Sequence, residues 1–111
     1  FRVSESIGDL NNLHSLSFKS DVLERLPASM AKLKNLEKLH FAGDKFTVLP
    51  ESICDLPKLK VLDISSTRID YIPESISNLA DTLEIIYLGS NFKERKEEVR
   101  KYLPKTIIGF R

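Results

Sequence analysis

The sequence repeats itself every 23 residues, and this repeat limits the fold more than any other feature. An aliphatic residue followed by proline recurs at that spacing, as Leu26-Pro27, Leu49-Pro50 and Ile72-Pro73. In each copy a serine and an apolar residue follow after one further position. A unit of this length cannot bury its apolar side alone, so neighbouring units are expected to stack into one continuous core.

A second pattern, L-x-x-L-x-L-x-x-N, occurs once in each unit. In the second unit it is filled by Leu36, Leu39, Phe41 and Asp44. The other units fill it with Leu13, Leu16, Phe18 and Asp21; with Leu59, Leu62, Ile64 and Thr67; and with Leu83, Ile86, Leu88 and Asn91. The L-x-L part alternates with the period of a strand, so each unit is predicted to contribute one short strand to a parallel sheet.

Together these patterns resemble the leucine-rich repeat family in its 23-residue form, LPxSIxxLxxLxxLxLxxN. The resemblance covers nearly the whole chain. It implies an α/β solenoid, with parallel strands on the concave face and 3₁₀ or helical turns on the convex face, and a scaffold that binds a protein partner. We therefore expect a single domain over 1–111, with repeats at about 3–25, 26–48, 49–71 and 72–94.

Residues 93–111 differ in composition and are predicted to cap the solenoid. A charged helix is expected over 93–103, in which Glu97 pairs with Lys101 four residues later. A final strand is expected over 106–110. A polar terminal unit of this kind keeps the end of a solenoid soluble.

Two irregularities are expected to leave local marks on the ladder. The asparagine position holds Asp or Thr in three of the four repeats, and these side chains can still bond nearby backbone groups. In the fourth repeat the spacing between Leu79 and Leu83 is one residue longer than in the other repeats. We expect a bulge there, on the return side of the repeat.

The first repeat begins directly at Phe1, without an initiator Met or a capping helix. We expect that the chain is the C-terminal piece of a longer array or has lost its cap. The apolar side chains of Leu10, Leu13, Leu16 and Phe18 would then be partly exposed, which favours self-association through this repeat.

Charge and composition argue against several classes of protein. The 17 basic and 16 acidic residues give a net charge of +1, whereas nucleic-acid-binding domains carry a clustered basic surplus. No apolar run approaches the length of a membrane span. His14 and His40 lack the spacing of metal ligands and the glycines form no phosphate loop, so no metal or cofactor is expected.

The single cysteine, Cys54, excludes an internal disulfide framework and is expected to be a small apolar filler or a half-exposed thiol. The sequence has no cysteine-rich caps, which argues against a vertebrate extracellular receptor. Two locations stay open: the protein is intracellular, or it is a bacterial protein, either retained in the cell or secreted.

The outward strand positions are predicted to form three rows on the concave face. From the first repeat to the fourth, the rows are Ser15, Lys38, Val61 and Ile85; Ser17, His40, Asp63 and Tyr87; and Lys19, Ala42, Ser65 and Gly89. Ser17, His40 and Asp63 come in the order of a nucleophile, a base and an orienting acid. An open strand face offers no oxyanion hole, so we expect no enzyme, and a surface contact between His40 and Asp63 is the plainer alternative.

Val61, Ile85 and Tyr87 make the later repeats more apolar on this face, which is typical of a docking patch. The alternative is that Val and Ile lie there because strands favour β-branched residues. We predict that a protein partner is bound by Lys38, His40, Val61, Asp63, Ile85 and Tyr87. Two other functions stay open: a structural part that caps a larger receptor, adaptor or bacterial effector and, more remotely, a hydrolase built on Ser17, His40 and Asp63.

Overall fold

The computed structural model describes residues 10–20 and 26–111. Within them, five short strands form one parallel sheet in chain order. They are β1 (Ser15–Lys19), β2 (Lys38–Ala42), β3 (Val61–Asp63), β4 (Ile85–Leu88) and β5 (Ile107–Phe110). The predicted α/β solenoid is therefore confirmed. The start of the first repeat, which includes Phe1, lies outside the described residues. So does Asp21, which fills the asparagine position of that repeat.

A 3₁₀ helix on the return side follows each aliphatic-proline pair. These helices span Ala28–Lys32, Glu51–Asp55 and Glu74–Leu79. Each begins directly after its proline, whose carbonyl accepts a hydrogen bond from the amide three residues on. Proline fits here because its ring fixes a suitable φ and its missing N–H would have had no helical partner. The prolines therefore set where the chain turns back toward the next strand.

The core lies between the strands and the 3₁₀ helices. Leucine and isoleucine side chains from successive repeats are buried there in continuous rows. Toward the first repeat the filling is aromatic: Phe41 packs edge-on against Phe46 at 4.8 Å between ring centroids and is stacked with Phe18 at 5.7 Å. Such pairs add favourable ring contacts to the area that they bury.

The extra residue of the fourth repeat is absorbed on the return side, as predicted. The amide of Leu83 donates to the carbonyl of Leu79 at 2.8 Å, which closes a turn over 80–82. Because the bulge lies in the turn, the strand register is kept, and Val61 lies opposite Ile85. Side chains on the two faces of the sheet therefore stay in their rows.

At the asparagine position of the repeat, the side chains make different contacts in different repeats. The hydroxyl of Thr67 donates to the carbonyl of Ile64 at 2.7 Å, and the amide of Asn91 donates to the carbonyl of Ile69 at 3.2 Å. These contacts agree with the expected bonding to the backbone, whereas Asp44 is exposed. Backbone bonds such as that from the Gly43 amide to the Ser66 carbonyl join neighbouring turns there.

The C-terminal segment differs from the predicted single helix. A 3₁₀ helix over Ser90–Arg95 comes first, and it continues as a short α-helix, α1 (Lys96–Arg100). The helical segment begins earlier than expected because Phe92, which the prediction left out, is 2% exposed and anchors its first turn on the core. The final strand, β5, lies within the predicted range of 106–110.

The ion pair of this segment also differs from the prediction. Arg95 and Glu98 are joined at 3.0 Å, where the sequence suggested Glu97 with Lys101. This hydrogen bond lowers the pKa of Glu98 and raises that of Arg95. Farther on, the Arg100 guanidinium donates to the carbonyls of Leu103, Pro104 and Thr106 and so closes the turn into β5.

We predict that Gly43→Ala destabilises the ladder strongly. Gly43 has φ +156°, and a Cβ atom there would collide with the backbone oxygen of Ser20 on the neighbouring turn. Chemical denaturation should show a loss of about 2 to 4 kcal/mol in the free energy of unfolding. The control is Gly89→Ala, where the nearest obstacle is the side-chain oxygen of Asn91 and the nearest backbone atom, the oxygen of Ser65, lies 3.3 Å away, so the loss should be smaller. Equal losses in the two variants would contradict this explanation.

Cys54 is 2% exposed, which confirms it as a filler of the core and not a half-exposed thiol. Burial raises its pKa; a hydrogen bond with Ser75 opposes this shift, and the charges of Glu51 and Asp55 add to it. Since the folded-state pKa lies above the unfolded one, the folded protein keeps the proton longer. The stability that this pKa difference contributes is fully present below the ordinary cysteine pKa of about 8.5 and is lost as pH rises above it.

We therefore predict that a disulfide reagent labels Cys54 slowly in the folded protein at pH 8 and rapidly in denaturant. Above about pH 8.5, stability should fall more steeply in the wild type than in Cys54→Ala. Absorbance of the released thiol chromophore measures the first effect, and denaturant titrations at several pH values measure the second. Rapid labelling without denaturant would show that the thiol is accessible.

Candidate functional site

The concave face carries two of the three predicted rows in register across the strands. The third row is paired only at Lys19 and Ala42, and Ala42 is buried, so its prediction as an outward position is wrong. Backbone pairing places Lys38 opposite Ser15 and Val61, and Val61 opposite Ile85. The second row runs in the same way through Ser17, His40, Asp63 and Tyr87. The six predicted binding residues therefore lie together in two adjacent rows of one sheet face. The structure extends each row by one strand, to Ile107 and to Gly109.

The first row of the concave face changes from polar to apolar along the solenoid. Ser15 and Lys38 are exposed, Val61 and Ile85 are half-buried, and Ile107 is 63% exposed. Ile107 is not among the predicted binding residues, although the sequence contains a signal for it. A strand over 106–110 that alternates its faces and buries Ile108 must turn Ile107 outward.

The second row brings Ser17 and His40 together but gives Asp63 other partners. The Ser17 hydroxyl lies 2.9 Å from Nδ1 of His40. One carboxylate oxygen of Asp63 accepts hydrogen bonds from the amide and the hydroxyl of Ser65, at 3.0 and 2.6 Å. The other oxygen pairs with Arg111, so the arrangement differs both from a catalytic relay and from the expected pair of His40 with Asp63.

Arg111 joins the two later strands of the second row. Its Nη1 donates to Asp63 at 2.9 Å, and its guanidinium stacks on the Tyr87 ring, 3.8 Å from the centroid. The Arg111 amide also donates to the carbonyl of Leu88. A guanidinium suits this place because it is planar and can stack on a ring while it donates in its own plane. The sequence carried no signal for this contact, which joins residues 48 positions apart.

The two rows and Arg111 line a cavity of about 460 Å³ that is open to solvent. It is lined at one end by Ser15, Ser17, Lys38 and His40, and at the other by Val61, Asp63, Ile85, Tyr87 and Arg111. Over 10–20 and 26–111, no group of three or more His, Cys, Asp or Glu side chains is arranged to hold a metal ion. One end of this cavity offers hydrogen bonding and the charge of Lys38, and the other offers apolar side chains beside the paired Asp63 and Arg111.

The helices of the described part of the chain are too short or too polar to cross a membrane.

We predict that Asp63 and Arg111 are energetically coupled. The Asp63 side chain is 9% exposed and that of Arg111 is 58% exposed, so solvent weakens the pair without removing it. A double-mutant cycle with Asp63→Asn and Arg111→Ala, followed by thermal unfolding, should give a coupling of about 1 kcal/mol. Arg111→Lys should keep part of the effect, because lysine retains the charge but loses the planar stack on Tyr87. Additive single effects would contradict the pairing.

Two similarities to known proteins agree with this geometry. Residues 58–79 match the family model described as Leucine Rich Repeat. The fold is similar to the solved structure of a leucine-rich repeat protein from Leptospira interrogans, with a TM-score of 0.83 and 32% sequence identity. The similarity covers 97% of this chain and 28% of that protein, so the chain spans less than a third of its length. A search of curated proteins found no match.

The family match falls on the third repeat, and the structural similarity extends the same architecture over nearly all of the chain. Both agree with a ladder in which each repeat adds one parallel strand. Together the two findings support a leucine-rich repeat protein.

Proposed function

We propose that this chain is a protein-interaction module and that its concave strand face docks a protein partner. The observation that supports this best is the row Val61, Ile85 and Ile107, three aliphatic side chains in register on an open face. The fold does not require them there, because the core is filled from the opposite face of the same strands. A row of partly exposed apolar side chains beside polar neighbours is an arrangement that protein interfaces use.

The residues of the face have different parts in this proposal. Val61 and Ile85 supply apolar contact area, and Lys38 and His40 supply a polar rim. Tyr87 offers a partner only the part of its ring that Arg111 leaves uncovered.

Asp63 has an indirect part, since its side chain is 9% exposed. It holds Arg111 in place over the face and is not itself a contact surface.

The size of the face limits the kind of partner segment. The two rows together supply fewer positions than the roughly 20 to 30 residues on each side of a standard interface. We therefore expect this part of the solenoid to contact a short segment of the partner. A leucine-rich repeat scaffold is typically without enzymatic activity, which agrees with a binding role.

A structural capping role is a second candidate. Val99 and Leu103 are fully buried at the end of the ladder, and the buried Thr106 hydroxyl donates to the Leu83 carbonyl at 2.9 Å. These contacts support the closure of the solenoid by the segment after the fourth repeat. The experiment on the concave face separates the two roles, since a purely structural cap needs no specific outward residues.

We predict that ligands of this chain depend on the apolar row of the concave face. Peptides selected on the immobilised chain from a random displayed library should lose about tenfold in affinity for the double variant Ile85→Thr with Ile107→Thr. Threonine keeps the β-branched shape that strands favour but removes apolar contact area. Fluorescence anisotropy measures the affinities, and thermal unfolding verifies that both variants fold.

The matched control removes exposed apolar side chains elsewhere on the chain. Val48 and Tyr71 are 59% and 57% exposed and lie outside the strands. The double variant Val48→Thr with Tyr71→Thr should bind the same peptides as the wild type does. If the control loses binding and the concave variant keeps it, the docking surface lies on the flank, and the proposed function of the strand face is wrong.

A further inference from the structure

We infer that the partner segment is an extended acidic peptide in which a carboxylate is followed, about two and about four residues later, by bulky apolar side chains. The peptide lies across the strands along the first row, with its carboxylate at Lys38 and its last apolar side chain at Ile107. This inference rests on the proposed docking function of the concave face and adds the chemistry, spacing and direction of the partner.

The charge of the face selects an acidic partner. The described residues of the two rows include one lysine, Lys38, and one carboxylate, that of Asp63. A second lysine, Lys19, lies at the end of β1. The carboxylate is nearly buried and already paired with Arg111, so those two charges balance each other. The exposed Asp44 lines a neighbouring cavity together with Lys19, so the unbalanced positive charge of the two rows lies at Lys38. A carboxylate of a partner meets unbalanced positive charge at Lys38, whereas a lysine there meets repulsion.

Lys38 is exposed and lines the cavity of the concave face. Lys38 lies between Ser15 and Val61 in its row, so no carboxylate lies directly beside it on these paired strands. Glu37, its neighbour along the chain, lies 3.9 Å from Lys60 at the margin of the face. In the adjacent row the Ser17 hydroxyl contacts Nδ1 of His40, and the other ring nitrogen is the one that remains for a partner.

The register of the strands sets the spacing in the peptide. Lys38, Val61, Ile85 and Ile107 lie on four consecutive strands and pair directly with one another. Neighbouring strands lie about 4.8 Å apart, so Lys38 and Ile107 are separated by about 14 Å. An extended peptide advances about 3.3 Å per residue and turns alternate side chains to the same face. Its fourth residue after the carboxylate therefore reaches Ile107, and its second lies between Val61 and Ile85.

Arg111 makes an extended peptide fit better than a helix. The guanidinium stands over Tyr87 and so raises a wall along the second row at the β3 and β4 end. Outward residues two apart on a strand are separated by about 7 Å, whereas a helix with its side chains is about 10 to 12 Å across. An extended strand of peptide fits over the first row beside this wall, whereas a helix that covered both rows would collide with Arg111.

A charge swap tests the inference. The probe is a labelled synthetic peptide that has glutamate at one position, leucine two and four residues later, and serine and glycine elsewhere. We expect Lys38→Glu to weaken its binding about tenfold and a peptide with lysine in place of the glutamate to recover that loss on the variant. Lys32→Glu, which makes the same charge change on the return side, should leave the binding of both peptides at the wild-type level.

The spacing is tested with the same protein. Moving the leucines to three and seven residues after the glutamate presents them on one face of a helix, and this peptide should bind at least about fivefold more weakly than the first. Peptides selected without bias from the displayed library should show the acidic and apolar pattern at the extended spacing. Each of these measurements uses the whole chain, and thermal unfolding shows whether the variants remain folded.

The outcomes separate this inference from the proposed function. If selected peptides depend on Ile85 and Ile107 but show no preference for a carboxylate at Lys38, the docking face stands and the acidic partner is wrong. Stronger binding of the helical spacing overturns the extended geometry in the same way. A library that yields no peptide ligand also overturns the inference, since it requires a short segment to be sufficient. If bound peptides ignore every concave variant, the proposed function itself fails.

Discussion

Lateral pairing of the backbone is the constraint on which the rest of this structure depends. One repeat supplies one strand, and a single strand cannot satisfy its own amides and carbonyls. At the start of each strand from β2 to β5, the backbone amide donates to a backbone carbonyl of the preceding repeat. These bonds run from Lys38 to His14, from Val61 to Glu37, from Ile85 to Lys60 and from Ile107 to Glu84. The repeat length follows from this pairing, because each unit must return the chain to the same height on its neighbour. The leucines are then buried in rows because the strands are held in register.

This constraint divides the side chains into those that the fold requires and those that it leaves free. On β2, Leu39 and Phe41 are buried, whereas Lys38 is exposed and His40 is half-buried. A change on the inner face affects packing with two neighbouring repeats, whereas a change on the outer face affects fewer packed contacts. Outer positions such as Lys38 can therefore acquire a binding specificity with less effect on folding than inner positions. The aliphatic side chains at Val61, Ile85 and Ile107 are notable for this reason, since burial in the core does not explain them.

Features that follow from the period could be predicted from the sequence, and features that depend on one pair of distant residues could not. The row from Ser15 to Ile85 was predicted because a fixed repeat fixes the register, and the insertion before Leu83 was predicted to lie in a turn for the same reason. The helix was placed too late because Phe92 is a lone apolar residue before a charged run, and only the packed core shows that it is an anchor. The contact of Arg111 with Asp63 follows no repeat at all, since it joins the edge strand to the middle of the sheet.

The contact of Arg111 with Asp63 also limits what the net charge of the chain indicates about its partners. A net charge of +1 describes the whole chain, so it averages over distances much longer than the roughly 8 Å at which salt screens exposed charges. Within that distance the Asp63 carboxylate is matched by Arg111, while Lys38 has serine and valine beside it in its row. A nearly neutral chain thus presents a positive end and an apolar end on one face. The Arg111 contact determines this polarity, because without it the Asp63 carboxylate would offset the charge of Lys38 one strand away.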